Sequence, residues 1–196
     1  MAELVDAHDS KSCTARCESS ILSPGTMEQD EWLDLVDEND VVIGKKLRSE
    51  VHAEKLKNYR AINLFIRNST SQLWIPRRTA HKQLYPLGLD FSCAGHVESG
   101  STYDETLRKE VMEELNIDVT NIPVKVLGKV TPAEFRTCFA MTYEIESNDT
   151  PQYNPDDFIE SFWLTPEEVV ARIEGGEYAK SSLAPLIRHF YIEPKK

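Results

Sequence analysis

Gly95-His-Val-Glu-Ser-Gly100-Ser-Thr-Tyr-Asp-Glu-Thr-Leu-Arg-Lys-Glu110-Val-Met-Glu-Glu-Leu-Asn-Ile117 is the stretch on which the fold turns. Its second half reads as a helix over 102–115. Thr102 is an N-cap residue type, and Glu105 three positions on completes a capping box. Leu107, Val111 and Leu115 recur every four residues and form one apolar stripe. Asn116 tolerates the left-handed conformation that stops a helix. The preceding Leu89-Asp-Phe-Ser-Cys-Ala94 is apolar and reads as a strand. The unit is therefore strand, glycine loop, helix. At 3.6 residues per turn, Glu110, Glu113 and Glu114 share one quadrant of the helix surface. Like charges so close destabilise a helix. Either the face is solvated and relieved by Lys109, or a hard divalent cation gathers the carboxylates. Two glycines within six residues allow close backbone approach to a ligand, which favours the second reading.

Outward from this unit, Trp32–Asp37 and Val41–Gly44 predict a hairpin around the Glu38-Asn-Asp turn. Ser49–His52 predicts a short helix or loop. Ala61–Arg67 and Gln72–Arg78 read as paired strands, and Tyr85–Gly88 as loop. Val124–Val130, Thr137–Ile145 and Phe158–Leu164 read as further strands. Thr165-Pro-Glu-Glu opens a second helix, with Thr165 as cap and Pro166 in its first turn. Ser182–Tyr191 is the third. Short strands mixed with helices predict an α/β (α+β) layered domain over 27–196, without internal repeats. Residues 1–26 are polar and aperiodic, the pattern of a disordered leader. Their start, MAELVDAHDSKSC, resembles peptides made when a transfer RNA gene is mistakenly translated, and Met27 is the expected native start.

The 196 residues are 40% hydrophobic and 28% charged, which suits one soluble domain of ordinary size. A net charge of -11 argues against nucleic acid polymers as partners. It still permits phosphorylated small molecules, because a bound cation reverses the local sign. No apolar run approaches a membrane span, and the N-terminus lacks the apolar segment of a signal peptide. Cys13, Cys17, Cys93 and Cys138 then read as reduced thiols of a cytoplasmic protein.

Gly95–Ile117 resembles a Nudix box, whose pattern is G-x5-E-x7-R-E-U-x-E-E-x-G-U with U aliphatic. Gly95, Glu110, Val111, Glu113, Glu114 and Ile117 match it. Ser101 stands in place of the first Glu, Lys109 in place of Arg, and Asn116 in place of Gly. Lys109 forgoes the planar fork that arginine offers a carboxylate. Leu35–Asp40, Val42-Ile-Gly, Arg48–His52, Arg77-Arg78 and Ala94–Val97 resemble the subgroup related to isopentenyl diphosphate isomerase. Phe162–Glu168 resembles the closing strand and helix of the superfamily. The likeness spans nearly all of 30–190. It implies a Nudix α/β/α sandwich with a mixed central sheet and an N-terminal β-hairpin.

The resemblance further implies a Mg²⁺-dependent hydrolase, with Mn²⁺ as an alternative ion, that cleaves a diphosphate linkage in a nucleoside diphosphate derivative or similar molecule. Glu110, Glu113, Glu114 and the Gly95 carbonyl would hold the metal. One of these carboxylates, or Glu160, would deprotonate water. Glu160 reads equally as an ordinary edge-strand residue. Arg77 and Arg78 either clamp a phosphate or pair with surface acids. His96 touches substrate or metal, or is a polar loop residue. Glu98 either substitutes for the acid absent at Ser101 or faces solvent. Tyr85, Trp74 and Phe91 are aromatic candidates for base stacking or core. Two alternatives stand beside the hydrolase. The isomerase is disfavoured because Ala94 occupies its catalytic cysteine position, Cys93 lies one residue early, and Tyr59 replaces a metal-binding His. A non-catalytic diphosphate-binding module is the other. A homodimer through the N-terminal hairpin is a further expectation.

Overall fold

The structure, a computed structural model, describes residues 30–135 and 137–193. The polar leader, with Cys13, Cys17 and Met27, lies outside them. In chain order the elements are β1 (Trp32–Val36), β2 (Val42–Leu47), α1 (Arg48–Ala53), β3 (Arg60–Arg67), β4 (Leu73–Arg78), β5 (Cys93–His96), α2 (Tyr103–Leu115), β6 (Lys125–Val130), α3 (Pro132–Phe135), β7 (Phe139–Glu146), β8 (Phe158–Leu164), α4 (Pro166–Glu174) and α5 (Leu183–Ile187). A π-helical turn follows at Arg188–Ile192.

β1 and β2 form a separate antiparallel hairpin, and the other six strands form one mixed sheet. Within it β3 runs parallel to β7, from Arg60↔Phe139 to Arg67↔Glu146, and antiparallel to β5, from Ala61↔His96 to Leu64↔Cys93. Strand side chains alternate faces, so β3 feeds two cores. Ile62, Leu64 and Ile66 pack with Leu107, Val111 and Leu115 of α2. Phe65 packs on the other face with Val169 and Val170 of α4 and Leu183, Leu186 and Ile187 of α5. Helices thus cover both faces, and the expected α/β/α sandwich with an N-terminal hairpin is what the chain forms. Burying side chains such as Val111 and Leu115 stabilises by roughly 1.5–3 kcal/mol apiece.

Two expectations need correcting. The ladder strand begins at Cys93 rather than Leu89, because a side chain takes over the hydrogen bonds of the run before it. Ser92 Oγ donates to the Trp74 carbonyl at 2.7 Å and accepts from Ile66 N–H at 2.8 Å. The third helix stops at Ile187 and continues only as the π turn. The α3 turn was not expected.

Candidate active site on the glutamate helix

α2 is built as its sequence dictates. Thr102 Oγ1 accepts from Glu105 N–H at 3.2 Å, and Glu105 Oε2 accepts from Thr102 N–H at 2.9 Å. Asn116 ends the helix at φ 54°, ψ 38°. The Val97–Gly100 loop leads from β5 toward this helix, and β1 holds its far end. Ser99 N–H donates to the Trp32 carbonyl at 2.7 Å, and Gly100 N–H donates to Asp34 Oδ2 at 3.0 Å.

Gly95 and Glu110 meet with no room to spare. A Cβ placed on Gly95 would lie 2.3 Å from Glu110 Cδ and 2.5 Å from its Cγ. Only glycine lets this carboxylate lie over the β5 backbone. Glu110 is pushed up to about 8, first by burial and then by the charges of Glu114 and Glu113. Glu114 is pushed up to about 7, chiefly by burial, with Asp157 and Asp90 adding to the rise; a hydrogen bond with Cys93 opposes it. Glu114 Oε2 is buried and has no hydrogen-bond partner. Glu113 is exposed. Among the described residues, no three His, Cys, Asp or Glu side chains already converge as metal ligands. Two of the three glutamates are nonetheless far from a solvated acidic face.

A pocket of about 280 Å³ opens beside Glu110, with His96, Glu98, Ser101 and Lys109 in its lining. Glu98 pairs with Lys109 there. The His96 ring packs against His52, with centroids 5.3 Å apart, and Tyr59 at 5.5 Å. Burial drives its pKa well down, with Arg48 and His52 adding, so the imidazole is neutral.

The remaining expected residues are engaged elsewhere. Arg77 on β4 holds Glu160 on β8 and, at 2.6 Å, Glu177. Arg78 holds the buried Asp90 at 2.6 Å and donates to the Leu84 carbonyl at 3.0 Å. Of their two readings, pairing with acids is what the side chains do. Glu160 is not in the lining of the pocket at Glu110. Trp74 and Phe91 are fully buried core residues. Tyr85 is half-buried, and its hydroxyl is 2.8 Å from Ser181 Oγ.

Lys180 had no signal in its polar sequence context. The segment around it bridges onto Leu89, with Lys180 N–H donating to the Leu89 carbonyl at 2.9 Å. This places its ammonium 3.4 Å from Asp90 Oδ1. Its charge also reaches Glu114.

The glycine loop, the carboxylate helix and the two-faced mixed sheet have counterparts among known proteins. The NUDIX domain family matches residues 57–186. An uncharacterized Nudix hydrolase of Nostoc sp. is 48% identical over 166 residues, covering 84% of this chain and 98% of that protein. A Nudix hydrolase of Deinococcus radiodurans is 45% identical, covering 84% and 96%. A crystal structure of a protein from Deinococcus radiodurans superposes with a TM-score of 0.78 at 44% identity, covering 82% of this chain and 99% of that one. A MutT protein from Methanosarcina mazei shares the fold, at TM-score 0.52 and 20% identity over 70% of this chain and 95% of its own. The chain belongs to the NUDIX domain family and is a Nudix hydrolase.

Proposed function

We propose that the protein hydrolyses a diphosphate linkage in a nucleoside diphosphate derivative or a similar small molecule, using Mg²⁺, with Mn²⁺ able to replace it. The observation that carries this is Glu110 pressed over Gly95 within reach of the charge of Glu114, one of whose oxygens is buried and unpartnered. Burial and mutual repulsion make two ionised carboxylates costly there, and a hard cation that wants oxygen ligands removes that cost. Glu110, Glu113, Glu114 and the Gly95 carbonyl would hold it. The ion, when bound, neutralises phosphoryl oxygens and acidifies water.

In the reaction a water oxygen adds to one phosphorus and the bridging oxygen leaves with the other phosphate. We assign the water's proton to a carboxylate of the trio rather than to Glu160, which is drawn to Arg77. His96, neutral and on the pocket wall, contacts substrate as a hydrogen-bonding group. Arg77 and Arg78 would bind phosphate only by releasing their acids. Lys180, which has a less close hold on Asp90, is the cation we assign to the second phosphate.

Within the subgroup resembling isopentenyl diphosphate isomerase, hydrolysis is favoured over isomerisation. Ala94 offers no thiol, and burial pushes the Cys93 thiol up, with Glu114 and Glu110 adding. Exposed Val42 and Ile43 on β2 support a homodimer through the hairpin, to be read by sedimentation. Free, buried Cys93 and Cys138 support a reducing, cytoplasmic setting.

A panel of nucleoside diphosphate derivatives with Mg²⁺, read by phosphate release, tests the assignment. Glu114→Gln should lower the rate by orders of magnitude, as loss of a metal ligand does. Glu160→Gln should leave it within about threefold, since an exposed pair contributes little. Full activity in Glu114→Gln would refute the assignment.

A further inference from the structure

The Glu98–Lys109 pair is half-exposed on both sides, at 42% and 46% of the side chains. Solvent-screened pairs of this kind add little to stability, so stability does not account for the framing around it. Glu98 bridges Leu33 of β1. Its carbonyl accepts from Ser101 N–H at 3.0 Å, and the next two amides are held by Trp32 and Asp34. The backbone under this carboxylate is fixed by β1 on one side and by its own turn on the other.

Lys109 is the residue that needs holding. It lines the same pocket as Glu110, and its charge reaches Glu113 and Glu110 as well as Glu98. Its side chain is long and flexible, with three donors. An ammonium settled on Glu110 or Glu113 would occupy the oxygens that a divalent cation needs.

We propose that Glu98 is a positioning residue: it captures the Lys109 ammonium on the loop side of the pocket and so keeps Glu110 and Glu113 free for the cation. The proposal rests on the reading of the α2 carboxylates as a divalent-cation site. It goes further in assigning Glu98 an effect exerted wholly through Lys109. Glu98 is then neither a ligand itself nor a plain surface acid.

The test is Mn²⁺ affinity of the full chain, read as free Mn²⁺ by electron paramagnetic resonance. Glu98→Gln, Lys109→Gln, the double variant and Glu98→Asp are compared with wild type. Glu98→Gln should weaken Mn²⁺ binding about 10-fold, the lower end for loss of a residue that orients ligands. Lys109→Gln should bind at least as tightly as wild type. In the Lys109→Gln background, Glu98→Gln should change nothing, because the competing ammonium is gone. Glu98→Asp should recover most of the affinity. A Glu98→Gln variant that binds as wild type does would overturn the proposal, as would equal weakening with and without Lys109. Wild-type protein that bound no Mn²⁺ would remove the site reading itself, and this proposal with it.

Discussion

Glu110 lies over Gly95 so closely that a single methyl group on the glycine would overlap the carboxylate. The overlapped atoms belong to a flexible side chain, so Gly95→Ala should turn Glu110 aside and leave the fold intact. Activity and Mn²⁺ affinity should fall about 100-fold, the scale of misplacing a catalytic group by ~1 Å. The thermal midpoint should change little. Gly44→Ala, where nothing lies within 4 Å of the added carbon, is the matched control. A Gly95→Ala enzyme with wild-type turnover would show that the contact is incidental.

Stability should depend on pH through the same acids. Glu110 and Glu114 sit at about 8 and about 7, against an ordinary 4.5. Below pH 4.5 both are protonated in the folded and unfolded chain alike. Above it the unfolded chain ionises first, so folding stability drains away until pH passes 7–8. The metal-free thermal midpoint should therefore fall between pH 5 and 8. The Glu110→Gln/Glu114→Gln variant should show a flatter profile. Added Mg²⁺ should raise the midpoint more at pH 8 than at pH 5, because carboxylates must be ionised to bind it.

Arg78 should prove structural before it proves functional. Asp90 is buried and depends on Arg78 at 2.6 Å, with Lys180 as a second partner at 3.4 Å. Orphaning a buried charge costs about 3–5 kcal/mol, and with Lys180 remaining, Arg78→Ala should lose roughly 2–3 kcal/mol. Chemical denaturation measures it. A loss below 0.5 kcal/mol, on the scale of a surface pair, would return Arg78 to the list of free phosphate ligands.

Thr102→Ala removes one half of a reciprocal cap. It should cost about 1 kcal/mol of folding stability, with Mn²⁺ affinity retained. An unchanged denaturation midpoint would mean that packing alone sets where α2 begins.

What was legible in the sequence follows from range. α2 was readable to within a residue, because cap, stripe and stop all lie inside fifteen positions and act locally. The same holds for α4, where Thr165 accepts from Glu168 N–H at 3.2 Å. The three glutamates were readable as a cluster, but how deeply two of them sink was not, since that depends on β5 passing beneath. Arg77 and Arg78 were readable only as cations. Their acids lie 83, 100 and 12 positions away, and no local pattern announces such partners. Leu89–Ser92 misled because a buried apolar run looks alike whether backbone or Ser92 Oγ makes the cross-strand bonds. Lys180 was invisible because a single backbone bridge to Leu89 delivers it.

The grip of β1 on the glycine loop has a kinetic consequence. Asp34 and Gly100 are 66 positions apart, and the hairpin that carries Asp34 stands outside the main sheet. Contacts between distant segments form late, after shorter loops have closed. In a refolding time course, helical signal should return first, and the capacity to take up manganese should lag behind it until that last clasp is fastened.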